Sequence, residues 1–156
     1  MALNNFQVLL VEDDPGDAEL TRIGLARTGM ALDLKVVDNG QDALSYLRHE
    51  EGYADALRPN LILLDLNLPG LSGREVLQVV KQDQDFKSIP VIVLTTSDAE
   101  DDILETYALG ANSYVRKPTD LQQFMQVVEQ VQRFWLMTAE LPPHNENAKR
   151  LHPTGH

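Results

Sequence analysis

Apolar positions along the chain gather into five strand-length runs: FQVLLV (6–11), DLKVVD (33–38), LILLDL (61–66), PVIVLT (90–95) and SYVRK (113–117). Each is rich in branched or aromatic residues. The first, third and fourth are almost continuously apolar, as expected for strands covered on both faces. The second and fifth mix in charge, like strands nearer an edge. Between the runs the apolar period lengthens to that of a helix. Ala18, Leu20, Ile23, Leu25 and Ala26 stop at Thr28 and Gly29, and Ala43, Leu44 and Leu47 follow Asn39 and Gly40. Ser72 and Glu75 form a capping-box pattern ahead of Val76, Leu77, Val79 and Val80. Ile103, Leu104, Tyr107 and Ala108 make a fourth stripe ending at Gly110, and Leu121, Phe124, Met125, Val128 and Val131 make a fifth. Strict alternation of strand and helix predicts a doubly wound α/β fold on a parallel sheet, because right-handed crossovers place helices on both faces.

Some stretches fall outside this frame. Residues 49–59 exceed a usual connection and read as variable surface loop. Beyond Met137 the chain turns rich in Pro, His, Asn and Lys, so the domain is expected over 1–137 with a flexible tail over 138–156. The histidines at 49, 144, 152 and 156 have no ligand spacing, and Asp38 and Asp98 read as turn and cap residues.

Composition narrows the function. A chain of 156 residues, 43% hydrophobic, fits one domain with one core. Twenty-four acids against 13 Lys and Arg leave a net charge of −11, which repels a phosphate backbone, so nucleic acid is not expected as a direct partner. Without cysteine there is neither a disulfide framework nor a thiolate metal site. No apolar run is long enough to span a bilayer and no leader pattern opens the chain, so a cytoplasmic location is expected.

In an open parallel sheet the ligand site lies outside the carboxyl ends of the strands. The first strand stops at Glu12 and Asp13, the third reaches Asp65, the fourth stops at Thr95 and Thr96, and the fifth at Lys117 and Pro118. The register from Pro90 favours Thr95 over Thr96. Oxygen-only ligands suit a hard divalent cation, Mg²⁺ or Mn²⁺, and the lysine adds a second positive charge. Such a site suits phosphoryl transfer.

Glu12-Asp13, the segment DLNLPGLSG from Asp65 to Gly73, Thr95, Tyr114 and Lys117-Pro118 together resemble the receiver domain of two-component response regulators, over residues 6 to about 136. The resemblance implies the flavodoxin-like strand order 2-1-3-4-5. It implies that Asp65 accepts a phosphoryl group from a histidine kinase, the protein assisting its own phosphotransfer rather than acting as a conventional enzyme. Asp13, Asp65 and the carbonyl of Asn67 would ligate the metal, with Glu12 acting mostly through water. Lys117 would pair with Asp65 and then the phosphoryl oxygens, Thr95 would bind one of those oxygens, and Tyr114 would be the switch ring. It further implies a cis Lys117–Pro118 bond. No output domain is expected, so the signal would leave through helix four, strand five and helix five.

The large apolar residues Phe134, Trp135, Leu136 and Met137 continue past the length that covers the sheet. They are either self-packed or shared with a second chain. VEDDPGDAELT, the long loop, LLDLNLPGLSGREVL and the RFW end resemble the small response regulators paired with cyanobacterial phytochromes. That subgroup implies a phytochrome-type kinase partner and a homodimer through this region, with Phe134 and Trp135 at the interface.

The nearest rival is a haloacid dehalogenase-like phosphatase with Asp65 as nucleophile. That family places its nucleophile after the first strand and a second Asp two residues on, whereas here the third strand carries Asp65 and Asn67 follows. No glycine-rich nucleotide-binding motif follows a strand either.

The acids of VEDDPGD divide by role. Asp14 before Pro15 matches an N-cap ahead of proline at the first helical position, with Asp17 at N3 favoured by the helix dipole. Asp14→Ala is therefore expected to cost about 1 kcal/mol of stability and spare phosphorylation, whereas Asp13→Ala abolishes Mg²⁺-dependent phosphorylation. Denaturant unfolding alongside a phosphorylation assay distinguishes them; equal loss of phosphorylation in both would mean that the acids are not so divided.

Overall fold

A computed structural model describes residues 5–142. The expected tail lies largely outside them, as do three of the histidines, 144, 152 and 156. The five strands are β1 (Phe6–Val11), β2 (Leu32–Val37), β3 (Leu61–Leu64), β4 (Val91–Thr95) and β5 (Ser113–Arg116). They form one parallel sheet in the order β2-β1-β3-β4-β5. Helices α1 (Pro15–Ala26), α2 (Gly40–Leu47), α3 (Gly73–Gln82), α4 (Glu100–Ala108) and α5 (Leu121–Gln132) alternate with them.

Strand alternation divides the core in two, since successive side chains leave opposite faces. Leu9, Val11, Ile62, Leu64, Val91 and Val93 pack beneath α2 and α3. Val8, Leu10, Leu61, Leu63, Ile92 and Leu94 meet Leu25 of α1 and Phe124 and Val128 of α5. The sheet is thus covered on both sides, which is why the middle strands read as unbroken apolar runs.

Local chemistry fixes the helix starts. The Asp14 side chain accepts from the amides of Gly16 and Asp17 at 2.8 and 3.2 Å, and Asn39 accepts from Asp42. Ser72 and Glu75 form the reciprocal capping box. Asp98 departs from its expected role: α4 opens at Ala99 with no side-chain cap, and the Asp98 carboxylate instead accepts from Arg116 at 3.0 Å.

Helix α4 also departs from its apolar stripe. Leu104 is 68% and Tyr107 49% exposed, and the residue it buries is Thr106, whose hydroxyl donates to the Asp102 carbonyl. Polar contacts hold the helix instead: Arg74 of α3 pairs with Asp102 and, at 2.5 Å, with Glu105. The end of α5 continues without a break into a π-helical segment, Arg133–Thr138. Its Leu136 is buried and Trp135 is partly covered by the α1–α5 side of the core, whereas Phe134 and Met137 are each 54% exposed. The chain stays packed past Met137, since Leu141 also lies against that core.

Gly73 is where α3 meets the end of β3. A Cβ there would collide with the Asp65 carbonyl oxygen and lie 2.6 Å from the Leu66 Cα, so the backbone could pass only with glycine. Gly73→Ala is expected to destabilise the protein by about 2–3 kcal/mol, as overpacking against backbone does, and Ser72→Ala by about 1 kcal/mol through the lost cap. Denaturant melts of both against the parent check the order.

Candidate functional site

The parallel register brings the acids together. Val11 pairs with Leu64, so Glu12 and Asp65 are the next residues on adjacent strands. Their positions are held by sheet-like bonds, Glu12 amide to Val37 carbonyl at 2.9 Å and Asp65 amide to Val11 carbonyl at 3.1 Å. Thr95 pairs with Arg116, and the Lys117 amide donates to the Thr95 carbonyl at 2.7 Å. Strands β1, β3, β4 and β5 therefore each deliver a polar side chain of the cluster to one edge.

Lys117 is the centre of the cluster. Its side chain is 3% exposed, and its Nζ donates to Glu12 Oε1 at 2.5 Å, to Asp65 Oδ2 at 2.9 Å and to Asp17 Oδ2 at 2.9 Å. Burial works against the ammonium, but the hydrogen bonds it donates to Glu12, Asp17 and Asp65 outweigh it and hold the Lys117 pKa above its usual value. Glu12 moves the other way for an acid: burial pushes it up to about 7, against the pull of Lys117, with the Asp65 charge adding to the rise. Both directions hold at once because the ammonium has three carboxylate partners while Glu12 has one ammonium.

The remaining oxygens are also directed. Asp65 Oδ1 accepts from the Asn67 amide at 3.0 Å and Glu12 Oε2 from the Asp14 amide at 3.2 Å. Asp13 is exposed at the mouth, and one oxygen each from Glu12, Asp13 and Asp65 lie within 4.8 Å of one another. An all-oxygen donor set that close fits a hard divalent cation. Thr95 is fully buried, with Oγ1 3.5 Å from Asn67 Nδ2, whereas Thr96 is exposed. Tyr114 lies beside this edge, half-buried, its hydroxyl donating to the Ser97 carbonyl at 2.9 Å.

Two expectations change here. The Lys117–Pro118 bond is trans, there being no cis peptide among the described residues; trans is the intrinsically preferred isomer even before proline. Asp17 does more than favour a helix dipole, because its carboxylate is one of the three on Lys117. Its place on the first turn of α1, four residues beyond Asp13 and at the same sheet edge, was a signal the motif itself did not carry. Phe134 and Trp135, by contrast, lie in the segment after α5 and are not part of this cluster; their rings meet edge to face, with centroids 5.4 Å apart.

Comparison with known proteins agrees with this geometry. The response regulator Rcp1 of Synechocystis is 43% identical over 135 residues, 86% of this chain and 92% of its own. The phosphorylated cyanobacterial phytochrome response regulator RcpA superposes with a TM-score of 0.86 at 46% identity, covering 89% of this chain and 99% of that one. The Mn²⁺-bound form of Rcp1 gives 0.84 at 42% identity, covering 88% and 99%. Residues 8–129 match the response regulator receiver domain; with a doubly wound sheet and an acidic, lysine-centred edge, the chain belongs to that family.

Proposed function

We propose that the protein is a response regulator of a two-component phosphorelay that takes its phosphoryl group from a histidine kinase onto Asp65. The observation that carries this reading is the buried Lys117 ammonium, 2.9 Å from Asp65 Oδ2, beside the oxygens of Glu12, Asp13 and Asp65. A carboxylate oxygen of Asp65 attacks phosphorus, the P–N bond of the donor phosphohistidine breaks, and its electron pair returns to the imidazole nitrogen. Lys117 offsets the charge on the phosphoryl oxygens, the work that dominates phosphoryl transfer. Thr95 donates to one of those oxygens. The chain makes its own contribution to this transfer and is not a conventional enzyme.

Asp13, Asp65 and the Asn67 carbonyl, with Glu12 through water, would hold a divalent ion, Mg²⁺ or Mn²⁺. When bound, such an ion supplies the positive charge that screens the carboxylates from one another and from the phosphoryl group. The Mn²⁺-bound state of the relative Rcp1 supports this assignment.

Readout follows from the neighbouring bonds. Thr95 and Ser97 belong to one short stretch, and Ser97 receives the Tyr114 hydroxyl. Movement of Thr95 toward the phosphate disturbs that seat and lets the Tyr114 ring turn inward, changing the α4–β5–α5 face. A shift between two existing conformations is the economical description. The similarity to RcpA and Rcp1 supports a phytochrome-type light sensor as the kinase, and a cytoplasmic setting accords with such a partner; no helix among the described residues is long and apolar enough to cross a membrane. The half-exposed Phe134 and Met137 beside a partly covered Trp135 support a homodimer through this end.

Incubation with Mg²⁺ and acetyl phosphate is expected to add one phosphate, lost in Asp65→Asn; continuous turnover of phosphate would favour the phosphatase reading instead. Phosphotransfer profiling is expected to show preference for a phytochrome kinase over other histidine kinases. Sedimentation is expected to show a dimer that Trp135→Ala weakens, and unchanged mass would remove that residue from the interface.

A further inference from the structure

An ammonium has three N–H bonds, and all three of Lys117 are committed, to Glu12, Asp65 and Asp17. A phosphoryl group arriving on Asp65 brings new acceptor oxygens but finds no free donor on the lysine. One existing bond has to yield. The bond to Asp65 passes to a phosphoryl oxygen as its carboxylate becomes an acyl phosphate, but a second donor cannot come from Glu12, which continues a buried strand with its side chain 2% exposed and would be left a carboxylate away from water without its cation. Asp17 belongs to the first turn of a helix and its side chain is 27% exposed, so water can replace the lysine there.

The geometry around Asp17 shows why its carboxylate is available for this. The amides of the first turn of α1 are served by Asp14, which accepts from both Gly16 and Asp17. Asp17 is therefore not needed as a cap, and its Oδ2 turns to the lysine across 100 positions of chain. One turn on, the fully buried Thr21 donates its hydroxyl back to the Asp17 carbonyl within the same helix at 2.8 Å.

We propose that Asp17 is a positioning residue of the phosphoacceptor site: it holds the third donor of Lys117 and competes with a phosphoryl oxygen for it, which sets how firmly Asp65 retains its phosphoryl group. This rests on the reading of Asp65 as the phosphoacceptor. Two effects act in the same direction. The Asp17 carboxylate occupies a donor, and its negative charge opposes a further anion at the same ammonium. An amide at position 17 removes the charge and is the weaker acceptor, because charge-assisted bonds are the stronger ones. Asp17→Asn should therefore favour the phosphoryl-bearing state.

The test uses the full chain with Mg²⁺ and fluoroberyllate, an analogue of a carboxylate-bound phosphoryl group, titrated into the parent, Asp17→Asn and Asp17→Glu. Asp17→Asn is expected to bind the analogue about threefold more tightly, in proportion to the coupling of a partly exposed ion pair. Its phosphoaspartate, formed with acetyl phosphate, should persist longer by a similar factor, and Asp17→Glu should restore the parent values. A metal-free readout accompanies it: the ¹⁵N signal of the Lys117 ammonium is expected to shift in Asp17→Asn and return in Asp17→Glu. Were Asp17 a helix-dipole residue alone, neither analogue affinity nor the ammonium signal would change. A parent that binds the analogue, with Asp17→Asn equal to it or weaker, overturns this inference alone. A parent that neither binds the analogue nor retains phosphate on Asp65 overturns the phosphoacceptor reading and this inference with it.

Discussion

The site depends on one buried cation. Among the described residues, Lys117 carries the only ammonium in a cluster where Glu12, Asp17 and Asp65 all direct an oxygen to its Nζ. Four acids counting Asp13 meet at one sheet edge, and without the lysine their repulsion would favour protonation or local opening. A buried ion cluster is a poor device for stability, since desolvating each ion costs several kcal/mol and the attraction only offsets it when the geometry is good. Under the proposed phosphoacceptor role, its presence at a strand end is preorganised electrostatics, a positive charge set in place for a phosphoryl group.

The fold supplies what that arrangement needs. A parallel sheet aligns the carboxyl ends of its strands, so residues that end their strands become neighbours though Lys117 and Glu12 lie 105 positions apart. Two apolar layers keep the strands fixed, and Gly73 lets α3 start hard against the Asp65 backbone, holding the loop that presents Asn67. The flank of the site next to β4 and β5 is held differently. Helix α4 is secured by Arg74 with Asp102 and Glu105, and by Thr106, rather than by a buried apolar stripe. Ser97 joins this network by donating to Asp102 at 2.5 Å and accepting the Tyr114 hydroxyl at its carbonyl. Polar contacts of this kind, partly exposed, are cheaper to rearrange than close-packed core, which suits the readout proposed for the α4–β5–α5 face.

Much of this was legible along the chain. The apolar runs gave five strands within one or two residues of their observed bounds, because a strand buried on both faces has little choice of residue type. Caps at Asp14 and Ser72 were readable because capping is local, a side chain bonding amides two or three residues on. The same locality explains the failures. The stripe Ile103, Leu104, Tyr107 and Ala108 has helical period but mostly faces outward, since periodicity says which residues share a face and not whether anything covers it. Asp98 had the composition of a cap, yet Arg116 on a neighbouring strand took its carboxylate.

What the sequence determined by itself, then, was the alternation of elements and the polar residue at each strand end, for both follow from short-range periodicity and chain chemistry. Which carboxylates share the lysine was decided only in three dimensions. Asp13 and Asp14 are adjacent letters, but one opens to the site mouth and the other caps a helix; Asp17 joins Lys117 because α1 begins against the same sheet edge. The reason is range. Hydrogen bonding in helices and turns is set by neighbours in sequence, while the reach of an ammonium about 3 Å from its acceptors is set by strand order and register, which exist only once the sheet has formed.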